Sequence, residues 1–151
     1  MREPSEGGVD PAVVFFLGRN LGHEAVATAL RGQGVQIERH ADHFADDAPD
    51  QEWLVDVGQR GWAVVTQDDR IRYRRAERAA MCAANVRLFV FTGKQMRGPE
   101  IGASLAKALN KMARFAGRHG PPFIARVSRN GEVTLWKSAE DLAAEAARSA
   151  G

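Results

Sequence analysis

Asp68 and Asp69 end the stretch "WAVVTQDD", Asp50 sits in "PDQEW", and Glu77 belongs to the arginine-rich "RIRYRRAER". Carboxylates are hard oxygen ligands, so acids of this kind gathered in space hold a divalent cation. Guanidinium groups beside them suit a phosphate, which they meet with two parallel hydrogen bonds. Residues 38–56 carry seven acids and one base, Arg39, whereas residues 70–78 carry five arginines and one glutamate. The pattern suits a site that holds a divalent cation and receives a phosphate backbone. The plainer alternative is a solvated acidic loop beside a solvated basic helix. Each acid also has a structural alternative. Asp68 or Asp69 could be a turn or N-cap residue, and Asp50 could cap the helix that Pro49 opens.

The elements that must position these residues follow from hydrophobic period. Residues 13–17, 35–38, 62–66, 86–92 and 123–127 are short runs rich in β-branched and aromatic side chains, and they predict strands. Residues 21–31, 51–59, 75–84 and 101–115 repeat apolar positions at helical spacing. Alternation of the two predicts a mostly parallel sheet covered on both faces, whose strand ends face a ligand crevice. Asp68 and Asp69 follow such an end, and so does Gly18, which has no side chain to offer. Asn130-Gly131 between two β-prone runs predicts a hairpin and an antiparallel edge. Ser138 with Asp141 three residues on predicts the cap of a terminal helix. The position of Glu77 depends on residues 69–74. If they form a loop, Glu77 lies in the first turn of its helix and can face Asp68; if they are already helical, it lies about 12 Å further along and cannot.

These motifs carry a family resemblance. The succession "FFLGRNLG", "PDQEWL", "GWAVVTQDDRIR", "AERAAM" and "VRLFVF" resembles the PIN-like domains of the VapC-type toxin group, metal-dependent ribonucleases paired with antitoxins, over residues 13–136. The resemblance implies an α/β, three-layer PIN-like domain with a mostly parallel central sheet and an antiparallel C-terminal edge. Its span is residues 12–137, after a flexible tail at 1–11 and before a helix or tail at 138–151. It implies Asp50, Asp68 and Glu77 as catalytic acids and Mg2+ or Mn2+ as the cofactor; Asp50, Asp68 and, from its place at the strand end, Asp69 are the expected metal ligands. Arg19, Arg70, Arg72 and Lys94 are the expected contacts to RNA. Gly18 stands where the family has its first aspartate. The implied function is RNA phosphodiester hydrolysis by the toxin of a toxin–antitoxin pair. The alternative is a catalytically impaired PIN-like module that binds RNA or a protein partner. Implied partners are RNA, a cognate antitoxin and, as an option, a second copy of the chain.

The remaining composition narrows the field. A chain of 151 residues with 44% hydrophobic content suits one domain, and a net charge of +2 argues neither for nor against a polyanionic partner. Cys82 is the lone cysteine, so no internal disulfide forms, and its small apolar neighbours predict a core thiol. The expectation is a cytoplasmic protein with no membrane partner, because no apolar run is long enough for a membrane span or a signal core. His40 and His43 in "HADH" have the spacing of zinc ligands but lack further clustered donors. The glycines of "GQGVQ" and "GRHGPP" lack the strand–loop–helix setting of a phosphate loop. Lys107, Lys111, Arg114 and Arg118 follow helical spacing opposite the apolar stripe, as on a solvated face.

Overall fold

The computed structural model describes residues 13–21 and 23–150; the expected tail at 1–11 lies outside them. Strands β1 (Val14–Leu17), β2 (Gln36–Arg39), β3 (Ala63–Thr66), β4 (Arg87–Phe91) and β5 (Phe123–Val127) run parallel. Strand β6 (Val133–Lys137) pairs antiparallel with β5, giving the sheet order β2-β1-β3-β4-β5-β6. Helices α1 (Glu24–Arg31) and α4 (Gly98–Arg118) cover one face; α2 (Asp50–Arg60), α3 (Arg75–Ala83) and α5 (Ala139–Ala150) cover the other. This is a three-layer α/β fold with a mostly parallel sheet and an antiparallel edge.

The layering is written in alternate residues. Phe15, Leu17, Phe89, Phe91, Phe123 and Ala125 face α1 and α4, while Phe16, Leu88, Val90 and Ile124 face the other three helices. Both sets are buried, which is why the strands read as continuous apolar runs. Helices α1 and α4 approach closely at Gly102, where a Cβ would stand 3.0 Å from that of Ala29. On the opposite face, Arg78 of α3 and Glu145 of α5 form a buried ion pair with Nη2 2.6 Å from Oε1. Arg78 also donates to the carbonyls of Ile71 and Arg72, so few of its donors are left unmet.

Local chemistry sets the boundaries. Gly131 takes φ +84° in the β5–β6 turn, whose Ser128 Oγ accepts from the amides of Asn130 and Glu132. Ser138 and Asp141 cap α5 reciprocally, at 2.9 and 3.1 Å. The helix expected from residue 21 instead starts at Glu24, after a 3-10 turn over Arg19–Leu21 that carries the chain off β1. At α2 the cap position belongs to Pro49, so Asp50 is the first helical residue rather than the cap. Among the described residues no helix is long and apolar enough to cross a membrane.

Candidate functional site

A cavity of about 310 Å3 opens at the carboxyl ends of β1 and β3. Asp50 from the start of α2, Asp68 after β3 and Glu77 from the first turn of α3 line it together, with Gly18, Arg19, Asn20 and Arg70. Leu54, Ile71, Met81 and Leu88 form its apolar floor. The position of Glu77 is settled by residues 69–74: a 3-10 turn over Asp69–Arg72 ends at Tyr73, and α3 begins only at Arg75.

Asp68 caps that 3-10 turn. Its Oδ1 accepts from the backbone N–H of Arg70 at 3.0 Å, and the Arg70 side chain donates from Nε to Oδ1 at 2.8 Å and from Nη2 to Oδ2 at 2.7 Å. The structural role and the site position therefore coincide in one residue. The Arg70 guanidinium holds the Asp68 carboxyl below the usual aspartate range. In return Asp68, then Glu77 and Asp50, raise the pKa of Arg70, so all three carboxylates act on this one cation.

The other two acids have arginine partners as well. Arg19 Nη2 donates to Asp50 Oδ1 at 2.9 Å, and its Nη1 reaches the carbonyl of Asp46. Trp53 Nε1 donates to the same Asp50 oxygen at 3.1 Å while its ring stacks on Phe16. Arg74 Nη1 donates to Glu77 Oε1 at 2.8 Å. Among the described residues, Asp50 Oδ2 and Glu77 Oε2 accept no hydrogen bond. Asn20 Oδ1 accepts from the Gln67 amide at 3.2 Å, tying the ends of β1 and β3 together.

Gly18 is buried at this junction, and its N–H donates to the Val65 carbonyl at 2.9 Å. Its φ is not in the left-handed region, and a Cβ there would lie 3.5 Å from both Thr66 Oγ1 and the Val65 carbonyl, an ordinary contact. The backbone therefore admits a side chain at this position.

The fold does not bring every expected residue here. Asp69, Arg72 and Lys94 line a second cavity on the far side of the 3-10 turn, where Asp69 Oδ2 lies 3.5 Å from Arg72 and 3.6 Å from Lys94. The tight turn sends Asp68 and Arg70 to one side and Asp69 and Arg72 to the other. Arg126 and Trp136 also line that second cavity, and no local motif singles them out. His40 is buried against Phe16, Phe44 and Trp53, whereas His43 Nε2 lies 2.7 Å from Glu38 Oε1. The "HADH" pair does not converge. Cys82 packs half-buried against the core on the α3 side.

Among the described residues no three His, Cys, Asp or Glu side chains form a group able to hold a metal ion. The free oxygens of Asp50 and Glu77 are nonetheless hard donors, the kind that Mg2+ and Mn2+ select. Mg2+ in particular is held by one or two carboxylates with substrate phosphates completing its shell. The donor set fits such a cation in kind, shared with a bound phosphate, and does not form a cage of protein ligands.

One family, described as a PIN like domain, matches residues 13–93. No curated protein and no solved structure matches the chain.

Proposed function

The chain belongs to the PIN-like domain family, and on that premise we propose that it hydrolyses RNA phosphodiester bonds in the Asp50–Asp68–Glu77 cavity with the help of Mg2+ or Mn2+. Domains of this family commonly bind RNA, are often nucleases and generally use divalent metals. The observation that carries the reading is the convergence of three carboxylates from α2, the β3 end and α3 on one cavity with two arginines at its rim.

Each group has a task in this reading. Arg19 and Arg70 bind the scissile phosphate and orient it, exchanging their carboxylate partners for its oxygens. Asp68, held below the usual aspartate range, stays ionised at neutral pH and serves as an anionic anchor, not as a proton donor. Asp50 and Glu77 keep an oxygen each for the cation or for a proton from the attacking water. Leu54, Ile71, Met81 and Leu88 give the cavity an apolar floor beneath these charged groups. Asp50 and Glu77 would hold the divalent cation, whose chemistry when bound would be to neutralise phosphate charge and make water a better nucleophile.

The finer assignment, a toxin countered by an antitoxin protein, rests on the order of motifs over residues 13–136. A second reading, an RNA-binding module without catalysis, draws on Gly18 and on the arginine paired with each carboxylate. End-labelled RNA incubated with the protein and Mn2+ separates the two. Hydrolysis in the wild type, abolished by EDTA and reduced about a hundredfold or more in Asp68→Asn, supports the nuclease. RNA that is bound but stays intact supports the binding module. Growth arrest on expression, relieved by Asp68→Asn, tests the toxin assignment.

A further inference from the structure

The 3-10 turn over Asp69–Arg72 is a ridge between two cavities that share Ile71 and differ in charge. On the first side Asp50, Asp68 and Glu77 are each paired with an arginine, Arg19, Arg70 and Arg74 in turn, so the charges balance. On the second side Arg72, Lys94 and Arg126 face Asp69 alone, a surplus of positive charge. Asp69 is shared between Arg72 and Lys94, at 3.5 and 3.6 Å, while Arg126 has no carboxylate partner among the described residues. Arg126 is half-buried on β5, and its guanidinium lies 5.3 Å from the ring centroid of Trp136 on β6. An unpaired guanidinium held partly out of water is a strong receptor for an anion.

The second cavity, of about 340 Å3, has more than charge. Its floor is Val90 and Ile124, both buried, and Trp136 forms a wall. A flat aromatic group fits against such surfaces, and an attached phosphate then meets the cations at the mouth. Ile124, Arg126 and Trp136 lie on β5 and β6, beyond the residues 13–93 that the family matches. The pocket depends on strands that the family match does not cover.

We propose that this cavity is a nucleotide subsite for single-stranded RNA, in which Arg126, with Arg72 and Lys94, holds a phosphate and the attached base rests against Trp136 and the apolar floor. The proposal rests on the nuclease reading for its substrate and deepens it. An RNA strand crossing the ridge places one phosphate among the three carboxylates and seats a neighbouring nucleotide in the basic pocket. The substrate is then unpaired RNA, because a base in the pocket is withdrawn from any duplex.

Fluorescence anisotropy of a labelled eight-nucleotide oligouridylate in EDTA, where nothing is cut, tests the subsite across a salt series. Arg126→Gln should weaken binding about tenfold and make the slope of log affinity against log salt shallower by about 0.7, the value of one phosphate contact to a single strand. Arg126→Lys should restore the slope. Thermal melts identify any variant that fails to fold, and Trp136→Phe then serves as the second probe, with weaker binding at an unchanged slope expected. Wild-type affinity and slope in Arg126→Gln would overturn the subsite, as would a wild type that does not bind the oligonucleotide. Cleavage is scored separately with Mn2+. RNA cut normally while Arg126→Gln binds like the wild type removes the subsite and leaves the nuclease. Arg126-dependent binding without cleavage does the reverse.

Discussion

Arg70 grips Asp68 through two charge-assisted bonds, 2.8 Å to Oδ1 and 2.7 Å to Oδ2, and so places a guanidinium at the electrostatic focus of three carboxylates. On the proposed reading, a divalent cation entering the cavity would compete with that guanidinium, and a phosphate entering it would draw the guanidinium away. The Arg70 side chain is 62% exposed, so the pair contributes little to stability and yields readily.

Arg70→Ala should therefore separate two affinities. Mn2+ binding should tighten by no more than about fivefold, because an exposed ion pair gives up little when it is broken. RNA binding should weaken, and the melting temperature should barely move. Calorimetric titration of Mn2+ beside anisotropy of an oligonucleotide measures both. Loss of both affinities together would mean that Arg70 organises the site and does not compete for it.

Gly18 offers a gain of ligand. A Cβ there meets only ordinary contacts, with Thr66 Oγ1 and the Val65 carbonyl both 3.5 Å away. Gly18→Asp should fold with stability within about 1 kcal/mol of the wild type. It should bind Mn2+ about tenfold more tightly and cut RNA faster. A folded variant with unchanged Mn2+ affinity would show that this position does not face the cation.

His40 predicts how stability depends on pH. It is 1% exposed and both ring nitrogens lack a hydrogen-bond partner among the described residues, so burial, and then the charge of Arg19, hold its pKa below the ordinary 6.5. The unfolded chain takes up this proton more readily than the folded one, so stability is full above about pH 6.5 and falls as pH drops from there toward the lowered folded value. The slope approaches about 1.4 kcal/mol per pH unit. Asp68 and Glu145 have lowered pKa values, so their contributions are lost only as pH falls below their ordinary 3.8 and 4.5, a separate window. Denaturant unfolding between pH 7.5 and 5.5 should show the loss in the wild type and a flatter profile in His40→Leu. Equal slopes would assign the effect to other groups.

The strands were legible because both sheet faces are buried, which makes runs such as "VVFFL" and "LFVF" apolar at every step. Asp68 was legible for a similar reason, since a polar residue that ends a buried strand must emerge at its carboxyl end. Asp69 was not, because a 3-10 turn sends adjacent side chains to opposite sides, and that turn has no apolar period to announce it. Of the two readings open for Asp50, helix cap or crevice residue, the structure has the second, because Pro49 takes the cap position of α2. Glu77 hung on the length of one turn, which propensity does not set. Arg126 and Trp136 meet only through the pairing of β5 with β6, including its register shift near Ile124, and no local pattern encodes that.

In the proposed reaction Asp50 and Glu77 share a divalent cation with an RNA phosphate, and Asp68 anchors the arginine beside it. Calorimetric titration of Mn2+ with and without uridine monophosphate, which supplies a phosphate and no bond to cut, tests it most directly. One Mn2+ per chain is expected, bound weakly alone and about tenfold or more tightly with the nucleotide, with that gain lost in Asp68→Asn. Mn2+ binding that ignores both the nucleotide and the Asp68→Asn substitution would contradict it.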